Sequence, residues 1–346
     1  MPLQGQYAHA PTVSVTLPCF NAEATLPACL DSLLAQTWRD FEIVAVDDGS
    51  TDRTGEVLRE YARRDGRVRP VFAAHGGVAA AANLALEKAG GRYVARMDAD
   101  DLALPERLAS QVGWLETRPK VGLVGSRVRF GGDRKAARGY ALYVDWTNRQ
   151  MTSEAIALNR FVESPFAFPS VMFRRELYFE HGGFRSGDFP EDYEFLLRLL
   201  DRGVVMEKVD AELLIWNDPP TRLTRNDPRY DPKAFYRVKA RYLGRWLAAN
   251  NRRHPAVGVI GAGRPSRKRS EMLVDHNIEI VEYYDLDPKK IGQVVSGRPV
   301  LDRELVPPPG QRFLLSYVAS RGAREDIAAF LRSRGYVAGR DWLAVA

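Results

Sequence analysis

The sequence predicts an α/β protein with a mostly parallel central sheet, followed by a second, smaller α/β unit. Short β-branched segments alternate with segments of helical apolar spacing from residue 12 to about residue 125, and the alternation restarts at residue 256. This alternation is typical of βαβ units, which build parallel sheets with helices on both faces. The 346 residues also exceed the usual size of one hydrophobic core, so two domains are expected.

The elements of the first part follow in order. Its predicted strands are TVSVTLP, FEIVAVD, RPVFAA, YVARMD and VGLVGS. The predicted helices between them are AEATLPACLDSLLAQ, RTGEVLREYARR, VAAAANLALEKAG and PERLASQVGWLE. Residues 126–216 are less regular, and GGDRKAARGYALYVDW shows no clear period. Within them, SVMFRREL is typical of a strand that runs into a helix, and PEDYEFLLRLLDRG of an amphipathic helix that ends at Gly203.

The second part begins after a long predicted helix, PKAFYRVKARYLGRWLAANN, which we interpret as a connector. It then contains strand AVGVIGAG, helix SRKRSEMLVDH, strand IEIVEYYD, a loop with GRPVL, strand RFLLSYV and helix REDIAAFLRSRG. We therefore predict a large domain over residues 1–230, a connecting helix over 231–252 and a small α/β domain over 253–346.

The composition bounds the compartment and the partners. A net charge of +6 and a pI near 9.3 suit phosphate-bearing ligands, an anionic membrane surface or nucleic acid, although a solvated basic surface is the favoured interpretation. The spacing of Cys19 and Cys29, the only cysteines, fits neither a zinc site nor a disulfide framework. The chain shows no signal peptide and no apolar run of about 18 residues. We expect a cytoplasmic protein that can touch the inner face of a membrane.

Polar clusters follow three of the predicted strands. They are PCFN (18–21), DDGSTD (47–52) and MDADD (97–101). Ligands of open α/β sheets bind in the crevice beyond the carboxyl ends of the strands. We therefore expect the three clusters to converge on one crevice.

The aspartates Asp98, Asp100 and Asp101 have two interpretations. Mg²⁺ and Mn²⁺ prefer hard oxygen ligands, and an Asp-x-Asp at a strand end can aim two carboxylates into one crevice. Alternatively, Asp100 or Asp101 caps the helix that begins near Pro105. Capping accounts for one aspartate but hardly for three.

Two further acidic positions have a similar double interpretation. Asp48 can accept hydrogen bonds from the N–H edge of a base, while Ser50, Thr51 or Asp52 caps the next helix. Glu191 and Asp192 complement the dipole of a helix start, or one of them acts as a catalytic base.

Taken together, the motifs resemble those of family 2 glycosyltransferases of the GT-A fold. The resemblance runs from about Val13 to Trp216. It rests on VSVTLPCFNAEATLPACLDSLLAQTWRDFEIVAVDDGSTDRTGEVL, GGVAAAANLALEKAGGRYVARMDADD, FPSVMFRRELYFEHGGFR and PEDYEFLLRL, in the order of the family.

The resemblance implies a role for each motif. The donor nucleotide would be bound by Pro18, Phe20, Asn21, Asp48 and Asp98, with Phe20 as a stacking surface and Asp48 on the base. Asp98 would contact the ribose or the metal, and Asp100 would bind the Mn²⁺ or Mg²⁺ that bridges the diphosphate. Asp101 is left as a cap or turn former. Asp192 would be the general base, with Glu191 the second candidate.

The activity implied is inverting, metal-dependent sugar transfer from a nucleotide-sugar, with UDP-sugar favoured. The acceptor would be a saccharide or lipid-linked glycan in bacterial surface polysaccharide synthesis. We expect no nucleic-acid partner, and leave peripheral membrane contact and homo-oligomerisation open. A non-catalytic nucleotide-sugar sensor is an alternative.

The chain departs from the family pattern at two places. Ala82 stands where many members carry a basic residue before the asparagine, here Asn83. No histidine lies near LLIWNDPPTRLT, so Asn217 or Asp218 is the candidate for a further metal ligand, and Arg222 for a phosphate contact.

The start of the C-terminal unit resembles a dinucleotide-binding turn and so a Rossmann-like domain. Gly261 and Gly263 are in place, Ser266 replaces a third glycine, and Asp285 follows Gly263 by 22 residues. An NAD-dependent oxidoreductase is therefore a second alternative. We favour a degenerate domain used for packing, dimerisation or partner docking.

Overall fold

The computed structural model describes residues 10–220, 222–320 and 322–346, and the chain forms two compact units. The first unit extends to Ile156 and includes Pro165–Gly187 and Glu191–Asn226. The second unit combines Ala157–Ser164, Asp188–Pro190 and Asp227–Ala346. Over the described ranges, no helix has both the length and the apolar character that a bilayer span requires.

The first unit is built on an eight-stranded sheet. Its strands are β1 (Val13–Cys19), β2 (Phe41–Asp48), β3 (Val68–Ala73), β4 (Tyr93–Arg96), β5 (Leu102–Ala103), β6 (Val121–Phe130), β7 (Met172–Arg174) and β8 (Val205–Trp216). Its helices are α1 (Leu26–Leu34), α2 (Thr54–Arg64), α3 (Val78–Lys88), α4 (Arg107–Thr117), α5 (Arg138–Thr147), α6 (Ser153–Asn159, which ends in the second unit), α7 (Glu176–His181), α8 (Glu191–Asp201) and α9 (Leu223–Asn226).

The strand order is β3-β2-β1-β4-β7-β6-β8-β5. Strands β3, β2, β1 and β4 are parallel, β7 runs antiparallel to both of its neighbours, and β5 is antiparallel to β8. All eight residues of β2 are buried, as expected of a central parallel strand covered on both faces. The predicted mostly parallel α/β fold is therefore confirmed.

Helices bury their apolar sides on both faces of the sheet. On one face, Leu30 of α1 and Leu115 of α4 join the same core as Val15 of β1. On the other face, Leu86 of α3 and Phe195 of α8 belong to a separate core. Because helices cover both faces of the sheet, a ligand can reach this sheet at the ends of its strands.

Five elements of this unit are absent from the predicted set, namely β5, α5, α6, β8 and α9. Helix α5 lies where no period is visible, because only Ala141, Val144 and Thr147 of its ten residues are buried. Strand β8 pairs in parallel with β6, but its alternation is masked by Lys208, a charged residue at a buried position. In both cases tertiary packing decides the local structure.

The second unit contains a six-stranded sheet in the order β11-β12-β10-β9-β13-β14. Its strands are β9 (Ala256–Ile260), β10 (Glu279–Asp285), β11 (Val294–Val295), β12 (Arg298–Asp302), β13 (Phe313–Ser316) and β14 (Trp342–Ala344). Its helices are α10 (Pro232–Asn250), α11 (Arg264–Ser270) and α12 (Ala323–Ser333). All pairings are parallel except that of β11 with β12.

The predicted loop with GRPVL is wrong, since this segment forms β12. Ser296 and Gly297 connect β11 to β12, and both have positive φ (51° and 73°), as in a type I′ hairpin turn. The predicted connecting helix is present as α10, and its contacts assign it to the second unit. The division into domains at residues 230 and 253 stays a prediction.

Candidate functional site

The three polar clusters lie at one edge of the sheet of the first unit. Strand β1 pairs with β2 as far as Cys19 and Asp47, and with β4 as far as Thr16 and Arg96. Two loops are also joined directly, because Asn21 accepts a hydrogen bond from the Thr51 N–H at 2.9 Å. The structure therefore brings together PCFN, DDGSTD and MDADD.

An acidic cluster, Asp98, Asp100 and Asp101, follows β4. One carboxylate oxygen from each residue lies within 4.8 Å of the other two. The carboxylate of Asp98 pairs with Arg96 at 2.6 Å. Asp101 is buried, and its Oδ2 has no hydrogen-bond partner among the described residues. Three hard oxygen donors, one of them unpartnered, fit a divalent cation such as Mg²⁺ or Mn²⁺.

The crowding of these carboxylates disfavours their charged forms. Burial raises the pKa of Asp100 to about 6, and the charge of Asp98 adds to the effect while Arg222 opposes it. Burial raises the pKa of Asp101 well above its usual range, with the charge of Asp100 as the second cause. A cation bound here would lower both values by favouring the ionised carboxylates.

The predicted capping role of Asp100 or Asp101 is wrong. Helix α4 begins at Arg107, and Glu106 precedes it without a side-chain cap. Asp101 instead accepts a hydrogen bond from the Asn217 N–H at 2.8 Å, and the Asn217 side chain donates to the Asp100 carbonyl at 2.7 Å. The acidic cluster is thus tied to the loop that follows β8.

The polar residues of the loop after β8 differ in how they can act on the acidic cluster. Asp218 forms an ion pair with Arg225 at 2.5 Å, so its carboxylate is already neutralised. The Arg222 guanidinium lies 3.5 Å from the Trp216 ring centroid and donates to the Asn217 carbonyl at 2.8 Å. Its charge acts on both Asp100 and Asp101. Arg222 is therefore the cation of this loop that stands near the cluster.

Arg107 is a buried residue of the site that the sequence interpretation missed. It donates to the Arg96 carbonyl at 2.6 Å and to Gln111 Oε1 at 3.2 Å. Burial lowers its pKa to about 10, and the charge of Asp101 opposes this change. Arg107 thereby fixes the last residue of β4, Arg96, through the Arg96 carbonyl. The sequence contains one sign of this role. Arg107 and Gln111 are polar residues four positions apart on the side of α4 that also carries its buried apolar residues.

Asp48 is held by the loop that precedes α3. Its Oδ1 accepts from the Gly76 N–H at 2.8 Å and its Oδ2 from the Gly77 N–H at 2.9 Å. The close approach of this loop requires glycine at position 49, where φ is +71° and an added Cβ would meet the His75 nitrogen at 2.7 Å. Oδ1 keeps acceptor capacity for one more donor.

Phe20 and His75 form an exposed aromatic pair beside Asp48. Their ring centroids are 4.3 Å apart with 28° between the planes, and Phe20 is 47% exposed. His75 also approaches Asp48 Oδ2 with its Nδ1 at 3.0 Å. The sequence interpretation included Phe20 and missed His75, whose place in the site depends on the contact between the loops after β2 and β3.

Glu191 and Asp192 occupy the first turn of α8. Asp192 Oδ1 accepts from the Tyr193 N–H at 2.6 Å. The pKa of Asp192 is raised to about 7, first by desolvation and then by the charge of Glu191, and the charge of Asp98 contributes in the same direction. The influence of Asp98 means that the start of α8 lies near the acidic cluster. A carboxylate with a pKa near 7 is suited to take up a proton at neutral pH.

Asn83, the residue that follows Ala82 in the atypical motif, has a structural role. Its side chain donates to the Phe184 carbonyl at 2.8 Å and accepts from the Phe184 N–H at 2.8 Å. This two-way contact fixes the segment that leads from α7 towards α8.

In the dinucleotide-like turn of the second unit, the polar side chains bind neighbouring groups of the protein. Asp285 accepts from the Ala262, Leu286 and Asp287 N–H groups at 2.8 to 3.0 Å, and from Lys290. Ser266 donates to the Tyr317 carbonyl at 3.0 Å across the strand ends. The turn geometry therefore gives no support to the oxidoreductase alternative.

The fold is similar to that of GT-A glycosyltransferases. The solved chain of Staphylococcus aureus TarS 1-349, in complex with UDP-GlcNAc, matches with a TM-score of 0.56 and 20% identity over 77% of this chain and 71% of that one. Residues 14–182 match the model of "Glycosyl transferase family 2".

Two Bacillus subtilis (strain 168) proteins are similar in sequence. The putative glycosyltransferase EpsE is 30% identical over 56% of this chain and 68% of its own length. The uncharacterized glycosyltransferase EpsJ is 31% identical over 62% of this chain. The chain belongs to glycosyl transferase family 2. It spans 63% of EpsJ and 21% of the uncharacterized protein y4gI of Sinorhizobium fredii, which is less than two thirds of either length.

Proposed function

We propose that this protein transfers a sugar, with inversion, from a nucleoside diphosphate donor to a hydroxyl of a saccharide or lipid-linked glycan. The observation that carries the proposal is the acidic cluster of three aspartates, together with Asp192 at the start of α8, a carboxyl group with a pKa near 7 on which the charge of Asp98 acts. These are the two groups that the chemistry needs: an anchor for the diphosphate and an acceptor for the proton.

Asp98 and Asp100 would hold a Mn²⁺ or Mg²⁺ ion, and the unpartnered Oδ2 of Asp101 offers a third oxygen. When bound, such an ion supplies positive charge that stabilises the departing nucleoside diphosphate. The raised pKa values of Asp100 and Asp101 support this assignment, because they indicate acidic side chains packed together without enough compensating charge.

The donor base would lie against Phe20 and donate no more than one or two hydrogen bonds to Asp48, whose carboxylate is already oriented by Gly76 and Gly77. Pro18 and Asn21 would complete this end of the pocket. UDP is the favoured nucleotide, because a carboxylate suits the N–H edge of uracil and the fold matches that of TarS with UDP-GlcNAc.

The reaction itself requires one proton acceptor. The acceptor hydroxyl oxygen forms a bond to the anomeric carbon while Asp192 takes its proton, and the bond from that carbon to the diphosphate oxygen breaks. A single displacement inverts the anomeric configuration. Glu191 raises the proton affinity of Asp192 through its charge, which makes Asp192 the stronger candidate for the base.

The biological role that we propose is assembly of a bacterial surface polysaccharide. The direct test incubates the protein with a panel of nucleotide-sugars, Mn²⁺ and glycan acceptors, and follows release of the nucleoside diphosphate together with the anomeric configuration of the product by NMR. We expect acceptor-dependent release and an inverted product. A retained configuration would refute the single displacement, and binding without turnover over the whole panel would favour the sensor alternative.

A further inference from the structure

Residues 232–270 contain eleven lysines and arginines and not one aspartate or glutamate. Asp231 and Glu271 bound this run. Over 227–346 the chain has 22 basic and 13 acidic residues, a net charge of +9, whereas the whole chain carries +6. The basic excess of the protein is therefore concentrated in its second part, and its densest segment covers α10, β9 and α11.

Helix α10 displays four of these cations in a row. Lys233, Arg237, Arg241 and Arg245 follow one another at four-residue spacing, and all four side chains are exposed. At 1.5 Å per residue the row is about 18 Å long. The opposite side of the helix is buried and includes Ala234, Val238, Tyr242, Leu243 and Leu247. The cations thus occupy the solvent side of a helix whose apolar side is already packed.

Helix α11 extends this charge. It lies against α10, because the Arg269 guanidinium stacks over the Tyr236 ring at 4.4 Å. Arg264 and Lys268 of α11 are exposed. We call the six exposed residues Lys233, Arg237, Arg241, Arg245, Arg264 and Lys268 the basic face. Within the described part of the chain, Lys233, Arg237, Arg241, Arg264 and Lys268 have no carboxylate within ion-pair distance.

Such a face is costly without a counter-charge. Like charges four residues apart on a helix repel one another, and ordinary surfaces mix both signs. On the neighbouring turn at residues 271–276, Glu271 is engaged with Ser296 and Arg298. An external anionic surface is the partner that these residues fit.

We propose that the basic face binds the headgroups of anionic phospholipids and so holds the protein at a membrane surface. Rows of lysine and arginine on the polar side of a helix are typical of this contact. Single-stranded nucleic acid is less well matched, since its bases stack on exposed aromatic rings. On α10, Tyr236 and Tyr242 are buried and Trp246 packs on Phe313. This proposal is independent of the proposed transfer reaction.

The test is co-sedimentation of the full chain with vesicles. One set contains equal parts of phosphatidylglycerol and phosphatidylcholine, and the other phosphatidylcholine only. We expect binding to the first set that weakens between about 0.1 and 0.5 M NaCl, where the Debye length falls by about half. Equal binding to both sets, or binding to neither, would overturn the proposal.

The variant K233E/R237E/R241E locates the contact. Three lost cations should lower the vesicle partition coefficient by about a hundredfold. The matched control K120E/K135E/R149E makes the same change of net charge at exposed positions of the first unit, and should bind like the unaltered protein. The milder K233Q/R237Q/R241Q serves if charge reversal impairs folding, as judged by thermal melting.

Two outcomes would contradict the assignment. Unchanged vesicle binding by both altered forms of the row would mean that another surface contacts the membrane. Binding to a single-stranded oligonucleotide that depends on the row, together with no vesicle binding, would identify the basic face as a nucleic-acid surface and overturn the proposal.

Discussion

Asp98, Asp100 and Asp101 are close neighbours in the sequence and yet have different partners. Asp98 pairs with Arg96, burial raises the pKa of Asp100 to about 6, and Asp101 accepts a hydrogen bond from the Asn217 N–H. The sequence pattern indicates the cluster, since three carboxylates exceed what a cap requires. It does not indicate the role of Asp101, because that role depends on a contact between residues 116 positions apart.

At Asp192 the pH dependence of the reaction tests the base. The rate at limiting donor should rise as the pH passes through about 7, because only the ionised carboxylate accepts a proton. Glu191→Gln removes a negative charge that raises this pKa, so the acid limb should move to lower pH, by about one unit. The measurement is the pH profile of kcat/KM for both forms.

A limb that stays in place in Glu191→Gln would show that Asp192 does not set the profile. Asp192→Asn is the companion variant, and it should lose at least about a hundredfold in kcat while it still binds nucleotide. Full activity of Asp192→Asn would remove it from the mechanism.

Arg222 provides a test of the loop after β8. Its guanidinium is stacked on Trp216 near the acidic cluster, where it can meet the diphosphate of the donor. Arg222→Ala should raise the KM for the donor about tenfold or more, with a smaller effect on kcat, because a charge-assisted hydrogen bond of about 1.5–3 kcal/mol is lost. Steady-state kinetics with varied donor give both values.

Arg129→Ala is the matched control, since Arg129 is an exposed arginine of the same unit that pairs with Glu212. An equal loss in both variants would mean that the effect of Arg222 comes from net charge. Trp216 and Tyr140 also pack with Arg222, so Arg222→Lys should recover charge but not the stacked geometry.

At the scale of elements, the strands and helices that could be predicted are those whose apolar residues recur with a regular spacing. Strands β1, β2 and β4 are short apolar runs between turn formers, and the motifs at their ends follow from the order of the elements. Strand β8 could not be predicted from its pattern, because a lysine occupies one of its inward positions. Helix α5 could not be predicted either, because few of its residues are buried and its packing against the sheet is a tertiary effect.

Lys208 on β8 contacts Thr147 of α5, and its titration makes the stability of the fold depend on pH. Its Nζ donates to the Thr147 carbonyl at 2.5 Å and to Thr147 Oγ1 at 3.0 Å, and burial lowers its pKa from 10.5 to about 7. Between pH 7 and 10.5 the unfolded chain binds more protons than the folded one, so this lysine makes stability rise with pH in that window.

Lys208→Met should flatten this rise. We expect the difference in unfolding free energy between pH 7 and pH 9 to shrink by about 1–2 kcal/mol relative to the unaltered protein. Urea unfolding followed by tryptophan fluorescence at both pH values gives the comparison. Lys120→Met, at an exposed position, should leave the difference unchanged. The same slope in Lys208→Met and the unaltered protein would contradict the lowered pKa.

At the scale of the whole molecule, the two parts differ in charge. Residues 227–346 carry +9, which leaves −3 for residues 1–226 in a chain of net charge +6. The overall pI therefore describes neither part, and the basic surface predicted from composition is concentrated on two helices. The excess of basic residues could be predicted from the sequence. Their position on one exposed side of α10 could not, because it depends on which side of the helix packs inward.

A divalent cation at the acidic cluster should link the protein to a nucleoside diphosphate, and the proposed transfer depends on this link. Calorimetric titration of UDP into the full chain, once with Mn²⁺ and once with a chelator, measures it. We expect Mn²⁺ to tighten UDP binding by at least about tenfold, and Asp100→Asn to abolish this gain while the fold persists. Equal affinity with and without Mn²⁺, or an unchanged gain in Asp100→Asn, would contradict the proposed metal site.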